Sequence, residues 1–351
     1  MRVCFWCPSA ERATGYGYVH VRLWKALREI GVDLTDDPER ADVEVYYGLP
    51  SSSPLHCRLW RERHSDVFVF YTMFEVVPIP PDWVDVIMGR NPSARAADAV
   101  FVPSAWCKEA FRGSGVSCPI YVVPHGVDPQ EFPFIKRPEQ TPLTAIWQGA
   151  NPNDRKGRTI VERAIRGTGI NLIEKWIPAR NQYSEGGPGA KIWRIGKKLS
   201  RPEMLEILGH ADISVNPTGG EGFGLIPLEH AATGLPVILT GWSGENEYAD
   251  AIHARRLEYT VAPSTYGAHF GTQGVGAIAD AGDLRAALLE FRDDPGRAGR
   301  IGTLAAVGST RFSWAAAARA FALATEGVLE GIGRGGSRSS SHGAIMQPSI
   351  T

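Results

Sequence analysis

The stretch ISVNPTGGEGFGLIPLEHAATGLPVILT, residues 213–240, decides how this chain folds. ISVN is a short apolar strand, and Pro217, Gly219 and Gly220 keep the residues after it non-helical. Glu221 therefore sits in a loop at the carboxyl end of a strand. Gly222 and Gly224 flank Phe223 and permit close backbone approach. A helix starts near Leu225, with Pro227 suited to its first turn, Gly234 as its stop, and LPVILT as a buried strand beyond it. The free N–H groups of residues 223–228 point out of the helix N-terminus, a setting that suits phosphate. The dipole there contributes about 0.3–1 kcal/mol, up to ~2 kcal/mol when partly buried. Glu229 lies roughly one turn in. It is either a plain complement to the dipole or, beside a bound phosphate, an acceptor for the hydroxyls of a ribose. Glu221, outside the helix, reaches a sugar hydroxyl. The two acids bracket a phosphate site.

Outward from this stretch the alternation of strand and helix continues. Toward the N-terminus of the same unit come a strand LTAIWQG, a helix near 159–166, a strand INLIEKW and a helix PEMLEILGHA, with the glycine-rich excursion PARNQYSEGGPGA between the last two. DPQEFPFIKRPEQTP (residues 128–142), with four prolines, reads as a linker. Before it lies a second unit of the same kind. Its strands are residues 2–6, ADVEVYYG, DVFVFYT, DAVFVPS and IYVVPHGVD, and one of its helices covers 105–112. The first of these strands leads through a loop holding Gly15 and Gly17 into a helix with apolar residues at Val19, Leu23, Trp24, Leu27 and Ile30. Strand–helix alternation predicts parallel sheets covered on both faces. The fold class expected is α/β, with two doubly wound Rossmann-like domains facing a central cleft, where ligands of such sheets bind. The expected domains are 1–133 and 142–312, with an alanine-rich helix over 313–330 and a disordered Gly/Ser-rich tail over 331–351.

Composition narrows the function. With 351 residues, 43% hydrophobic and 21% charged, this is the profile of a globular chain of two domains. The formal charge of −1 gives no global field for nucleic acid or an anionic membrane, which argues against tight duplex binding but not against a local channel. No apolar run reaches the ~18 residues of a membrane span, and residues 1–8 do not form a secretory signal. Five cysteines do not suggest a disulfide scaffold. Cys4 and Cys7 lie on a strand with no second CxxC, so they read as packed thiols rather than a metal or redox pair. A cytoplasmic enzyme is the expectation.

Four stretches in order resemble the retaining GT-B glycosyltransferases, family 4 type. They are AADAVFVPSAWCKEAFRGSGV, YVVPHGVDPQEF, the run from IWRIG to ENEYA that contains Glu221 and Glu229 as an E-x7-E signature, and RFSWAAAARAFA; NDRKG resembles the family's RKG element besides. The resemblance implies transfer of a hexose from a nucleoside diphosphate sugar to a hydroxyl acceptor that the residues do not identify. It implies that Glu229 binds the donor ribose and Glu221 the transferred sugar, that the amides of Phe223, Gly224, Leu225 and Ile226 face the diphosphate or sugar, and that Lys156 neutralises the leaving diphosphate. It places Trp193 and Ile195 near the base, Gly15 and Gly17 over the diphosphate, and the C-terminal helix back across the first domain. No DxD occurs in the chain, so a metal-free site without cofactors is implied.

The pattern departs from the family twice. Gly149 is followed by Ala150-Asn151 where many members have an arginine, so Arg155 or Arg158 is the candidate for the second cation. TMFEVVPIP lacks the histidine that many members carry, which leaves Glu75 as the polar candidate on the acceptor side. His125, in PHGVD, reads as structural. Acceptor recognition is assigned to N-terminal loops including SSSPLHCRLWRERHSD, where Arg58, Arg61 and Arg63 give a basic character. Two alternatives stay open on the same site. One is a degenerate fold that binds nucleotide sugar without transfer, and the other a phosphorylase or epimerase.

Overall fold

A computed structural model of the chain describes residues 1–8, 15–51, 65–92, 94–138, 142–149, 154–176, 182–185 and 190–334. Most of the basic loop 51–66, Ala150-Asn151 and the tail from 335 onward lie outside the described residues.

The first sheet holds β1 (Arg2–Trp6), β2 (Asp33–Thr35), β3 (Val43–Tyr47), β4 (Val67–Tyr71), β5 (Ala99–Val102) and β6 (Ile120–Val122) in the order β2-β1-β3-β4-β5-β6. All its pairings are parallel. β3, β4 and β5 are buried along their whole length; β4 and β5 read as continuous apolar runs, and β3 is interrupted by the buried Glu44, whose Oε1 accepts from Trp6 Nε1 at 2.9 Å. The second sheet holds β7 (Thr144–Gly149), β8 (Asn171–Trp176), β9 (Gln182–Glu185), β10 (Lys191–Ile195), β11 (Ile213–Asn216), β12 (Val237–Leu239) and β13 (Arg255–Arg256). Their order is β13-β12-β11-β7-β8-β10-β9. The glycine-rich excursion is thus partly an edge strand: β9 pairs antiparallel with β10 on an otherwise parallel sheet. Both sheets reverse their winding beside their first strand, at β1/β3 and at β7/β11, and the loops at those reversals open toward the cleft.

Gly15 and Gly17 are not in a loop. They form the first turn of the helix Gly15–Glu29. Glycine's usual preference for turns misled the reading here. Cys4 and Cys7 are buried thiols, as their strand position implies.

The helix Trp314–Arg334 packs on the first sheet. Phe321 is fully buried there, against the rings of Phe5, Tyr71 and Phe101 at 5.2, 6.5 and 5.5 Å. The small residues Ala317, Ala318 and Ala324 share the same core and let the helix lie close to the strands. Its entry is pinned by a bridge between Val127 and Ser313, at a point where a Cβ on Gly126 would sit 2.5 Å from the backbone of Ser313. None of the described helices is long and apolar enough to cross a membrane.

Truncating this anchor has a readable cost. Phe321→Ala is expected to lower the stability of the first lobe by about 3–5 kcal/mol, seen as an earlier urea midpoint at unchanged slope.

Candidate active site

The β7/β11 reversal brings two loops of the second lobe side by side. Gly219 N donates to Arg155 O at 2.6 Å, and Thr218 Oγ1 donates to the same oxygen at 3.2 Å. Gly157 caps the next helix at φ +71°, and a Cβ there would meet Pro217 O at 2.1 Å. Glycine is therefore required for the loops to touch. The first lobe closes on them from the other side. Gly220 lies so near Glu75 that a Cβ would fall 1.9 Å from its carbonyl oxygen. Ser104 Oγ donates to Gly222 O at 2.7 Å, and Ala105 N to the carboxylate of Glu247.

Between the lobes is a cavity of about 800 Å³. Its second-lobe wall is formed by Lys156, Glu221, residues 222–226 and Glu229, and its first-lobe wall by Gly15, Gly17 and Glu75 among others. The helix Leu225–Ala232 begins at this wall, with Gly224 as its left-handed cap (φ +86°) and Tyr248 Oη donating to Gly224 O at 2.6 Å. Phe223 is buried between the rings of His125 and Tyr248, 5.1 and 5.4 Å away, which fixes the backbone of the loop.

Glu221 is ion-paired with Lys156 and, at 3.1 Å, with Arg155. It also accepts from Thr218 Oγ1 at 3.2 Å. Burial alone would push its carboxyl up. The Lys156 ammonium and the Arg155 guanidinium outweigh that and hold it below the usual carboxylate range. Glu229 behaves in the opposite way. Burial pushes its carboxyl up to about 7, with Arg201 and Arg22 only partly offsetting it. Glu75 is also raised, by burial first and despite the pull of Arg155. His125 shares a hydrogen bond with Tyr47 at 3.2 Å and stacks with Trp314, and burial pushes its imidazole down to about 3. It lines the cavity as a neutral ring.

So the cavity gathers Gly15, Gly17, Glu75, Lys156, Glu221, Phe223, Gly224, Leu225, Ile226 and Glu229. It does not gather the others. Trp193 and Ile195 pack against the core of the second lobe and do not line the cavity. Arg158 pairs with Glu162 and Glu174, at 2.8 and 3.2 Å, over the ring of Trp176. Arg155 lies behind Glu221 rather than on the wall. It donates to Gly220 O and Glu221, its Nη2 is 4.0 Å from Glu75, and its guanidinium rests on Tyr266. The residues missed were Tyr18 and Arg22, which line the cavity from the first-lobe helix. Their i, i+4 spacing next to Gly15 and Gly17 was a signal for a shared face. Both meet the linker acid Glu131, Tyr18 Oη by donating at 2.9 Å and Arg22 as an ion pair.

This architecture has counterparts. The pattern described as "Family 4 Glycosyltransferase in conflict systems" matches residues 198–321, which include both glutamates. Over these residues the chain is similar to the family 4 glycosyltransferases. Among its relatives is the putative glycosyltransferase 45 of a Sulfolobus islandicus filamentous virus, 28% identical over 253 residues, covering 65% of this chain and 67% of the relative. Another is glycogen synthase of Mycobacterium tuberculosis, 24% identical over 319 residues, covering 81% and 67%. Of solved structures, sucrose-phosphate synthase from Thermosynechococcus elongatus superposes with a TM-score of 0.63 at 15% identity over 94% of this chain and 99% of its own. Anabaena HepE in complex with UDP and glucose superposes at 0.61 and 11% over 93% and 100%. The transferase fold thus spans both lobes.

Arg155 is a cation withdrawn from water whose removal takes a charge partner from Glu221 and from Glu75. Arg155→Ala is expected to cost about 3–5 kcal/mol in urea unfolding, whereas Arg158→Ala costs less, because Arg194 Nε still pairs with the buried Glu174 at 2.7 Å.

Proposed function

We propose that the cleft transfers a hexose from a nucleoside diphosphate sugar to an acceptor hydroxyl, retaining the anomeric configuration and using no metal ion. The observation that carries this is the sequence of groups along one wall: Lys156 and Glu221, then the backbone of residues 223–226 at a helix N-terminus, then Glu229. A diphosphate lying along that wall meets an ammonium and free N–H groups, and these stabilise the charge that develops as the bond to the sugar breaks. Glu221 at one end accepts hydrogen bonds from the sugar. Glu229 at the other accepts them from the ribose. Gly15 and Gly17 close over the diphosphate from the first lobe. Arg155 acts through Glu221 rather than on the donor. HepE is known in complex with UDP and UDP-glucose, which makes UDP-glucose the first donor to test.

Lys156 is held by its ion pair with Glu221 on this wall. The cation is therefore in place and needs no reorganisation when the leaving group forms, and this preorganisation is the source of the rate effect.

Three measurements follow from this arrangement. In a donor-saturated assay, Lys156→Ala lowers turnover by roughly 10²–10³, and an unchanged rate refutes its role. NMR of the product shows the donor's anomeric configuration, and chelation with EDTA leaves the rate unaltered; an inverted product or an EDTA-sensitive rate removes that part of the proposal. The ionised form of Glu229 is the one that accepts from a diol, and its carboxyl titrates at about 7 beside Arg201, Arg22 and Tyr18. Donor KM is accordingly high below pH 7 and falls as the pH rises through 7. Glu229→Gln abolishes that dependence and raises KM.

A further inference from the structure

Residues 259–279 form an arm that leaves the second lobe. It consists of β14 (Tyr259–Pro263), the short helix Thr265–Ala268 and β15 (Val275–Ala279), with the two strands antiparallel. The arm reaches the first lobe beside Glu75. Val275 and Val77 exchange backbone hydrogen bonds of 2.8 and 3.3 Å, and Thr272 Oγ1 donates to Pro78 O at 3.1 Å. Tyr266 and Phe270 pack on the ring of Phe74 at 5.8 and 5.3 Å, and Phe270 also meets Trp83 at 6.1 Å. At its other side the arm holds the donor loop, with Ala277 N donating to Gly219 O at 2.9 Å. One element therefore clasps the segment that carries Glu75 and the segment that carries Glu221.

Tyr266 lies inside this clasp. Its hydroxyl donates to Glu75 Oε2 at 3.0 Å. The face of its ring supports the Arg155 guanidinium, 4.8 Å from the ring centre. Arg155 in turn holds Glu221 at 3.1 Å and lies 4.0 Å from Glu75. A guanidinium within reach of two carboxylates from different lobes can shift toward either. The ring below it and the hydroxyl on Glu75 leave it one arrangement.

We propose that Tyr266 is a positioning residue of the transfer reaction: by holding Glu75 through its hydroxyl and Arg155 through its ring, it fixes the charges around Glu221 and ties their arrangement to closure of the arm on the first lobe. This rests on the reading of Glu221 and Lys156 as donor-site groups. Glu75 is faced by Arg155, Lys156 and Glu221 from the second lobe, Tyr266 from the arm, Tyr16 from the helix Gly15–Glu29 and Cys107 from the helix Ala105–Gly113. Burial raises its carboxyl and the Tyr266 hydroxyl counters that. Loss of the hydroxyl makes ionised Glu75 harder to maintain, so the effect grows as pH rises through the titration of Glu75.

The test is a cycle of wild type, Tyr266→Phe, Glu75→Gln and the double variant, with Tyr266→Leu as the variant that also loses the ring. UDP-glucose hydrolysis, with water as acceptor, is measured from pH 5 to 9, and melting temperature over the same range. Tyr266→Phe is expected to lower kcat about tenfold with KM within about twofold, and to move the acid limb of the profile upward by about half to one unit. Its melting deficit grows from pH 5 to 8. Both effects disappear in the Glu75→Gln background, and Tyr266→Leu loses more activity than Tyr266→Phe. Effects of Tyr266→Phe that persist unchanged in that background, or a melting deficit independent of pH, overturn the proposal. A wild type inert toward UDP-glucose counts against the donor reading alone, because the melting cycle still decides whether Tyr266 acts through Glu75.

Discussion

The Arg155 guanidinium is buried between carboxylates that belong to different lobes, Glu75 and Glu221. A cation so placed must be compensated, since desolvation costs several kcal/mol per ion and only close partners recover it. That requirement reaches through the molecule. It needs loops 154–157 and 217–221 to lie in contact, which Gly157 permits by approaching Pro217 O. It needs the first lobe to bring Glu75 against Gly220, which only a glycine allows. Neither sheet places these charges alone. The winding reversal at β7/β11 supplies one half and the chain beyond β4 the other.

Charge balance then explains why the wall suits an anion. Arg155 and Lys156 contribute two positive charges, and Glu221 is held ionised by them. Glu75 is pushed toward its neutral form by burial and by Glu221. Burial and Glu221 thus weaken the one carboxylate that would offset the second cation, and the cluster stands beside a helix N-terminus of positive sign. A diphosphate entering there neutralises an existing field instead of creating a new one.

Most of the fold was legible because its signals are local. Buried parallel strands are continuous apolar runs, and ISVNPTGGEGFGL spells strand, loop and helix start in order. Glu221 and Lys156 were each legible as candidates in recognisable elements, while their ion pair was not. What stayed hidden has no local period. β9 lies in a glycine-rich stretch whose only strand-like feature is its pairing with β10. The arm is made of short strands with exposed Tyr259, Val261 and Ile278, so no apolar pattern announces it. The contact of Tyr266 with Glu75 spans 191 positions of chain, and no window of sequence contains both. Trp193 and Ile195, which the family resemblance places near the base, are half-buried on β10 and pack against the second-lobe core.

The two glutamates of the opening stretch show how one short motif yields two chemistries. Glu221 is buried and Glu229 half-buried, and in both desolvation disfavours the charged form. They part because of what the tertiary structure sets against them. Glu221 has an ammonium and a guanidinium in direct contact, close enough to overcome desolvation. The cations near Glu229 are committed elsewhere: Arg22 and Arg201 both pair with Glu131, and Arg201 also lies over the Phe132 ring at 4.0 Å. They lower its carboxyl only in part, and it settles at about 7. Glu131, a linker residue, thus shares the two cations that act on Glu229.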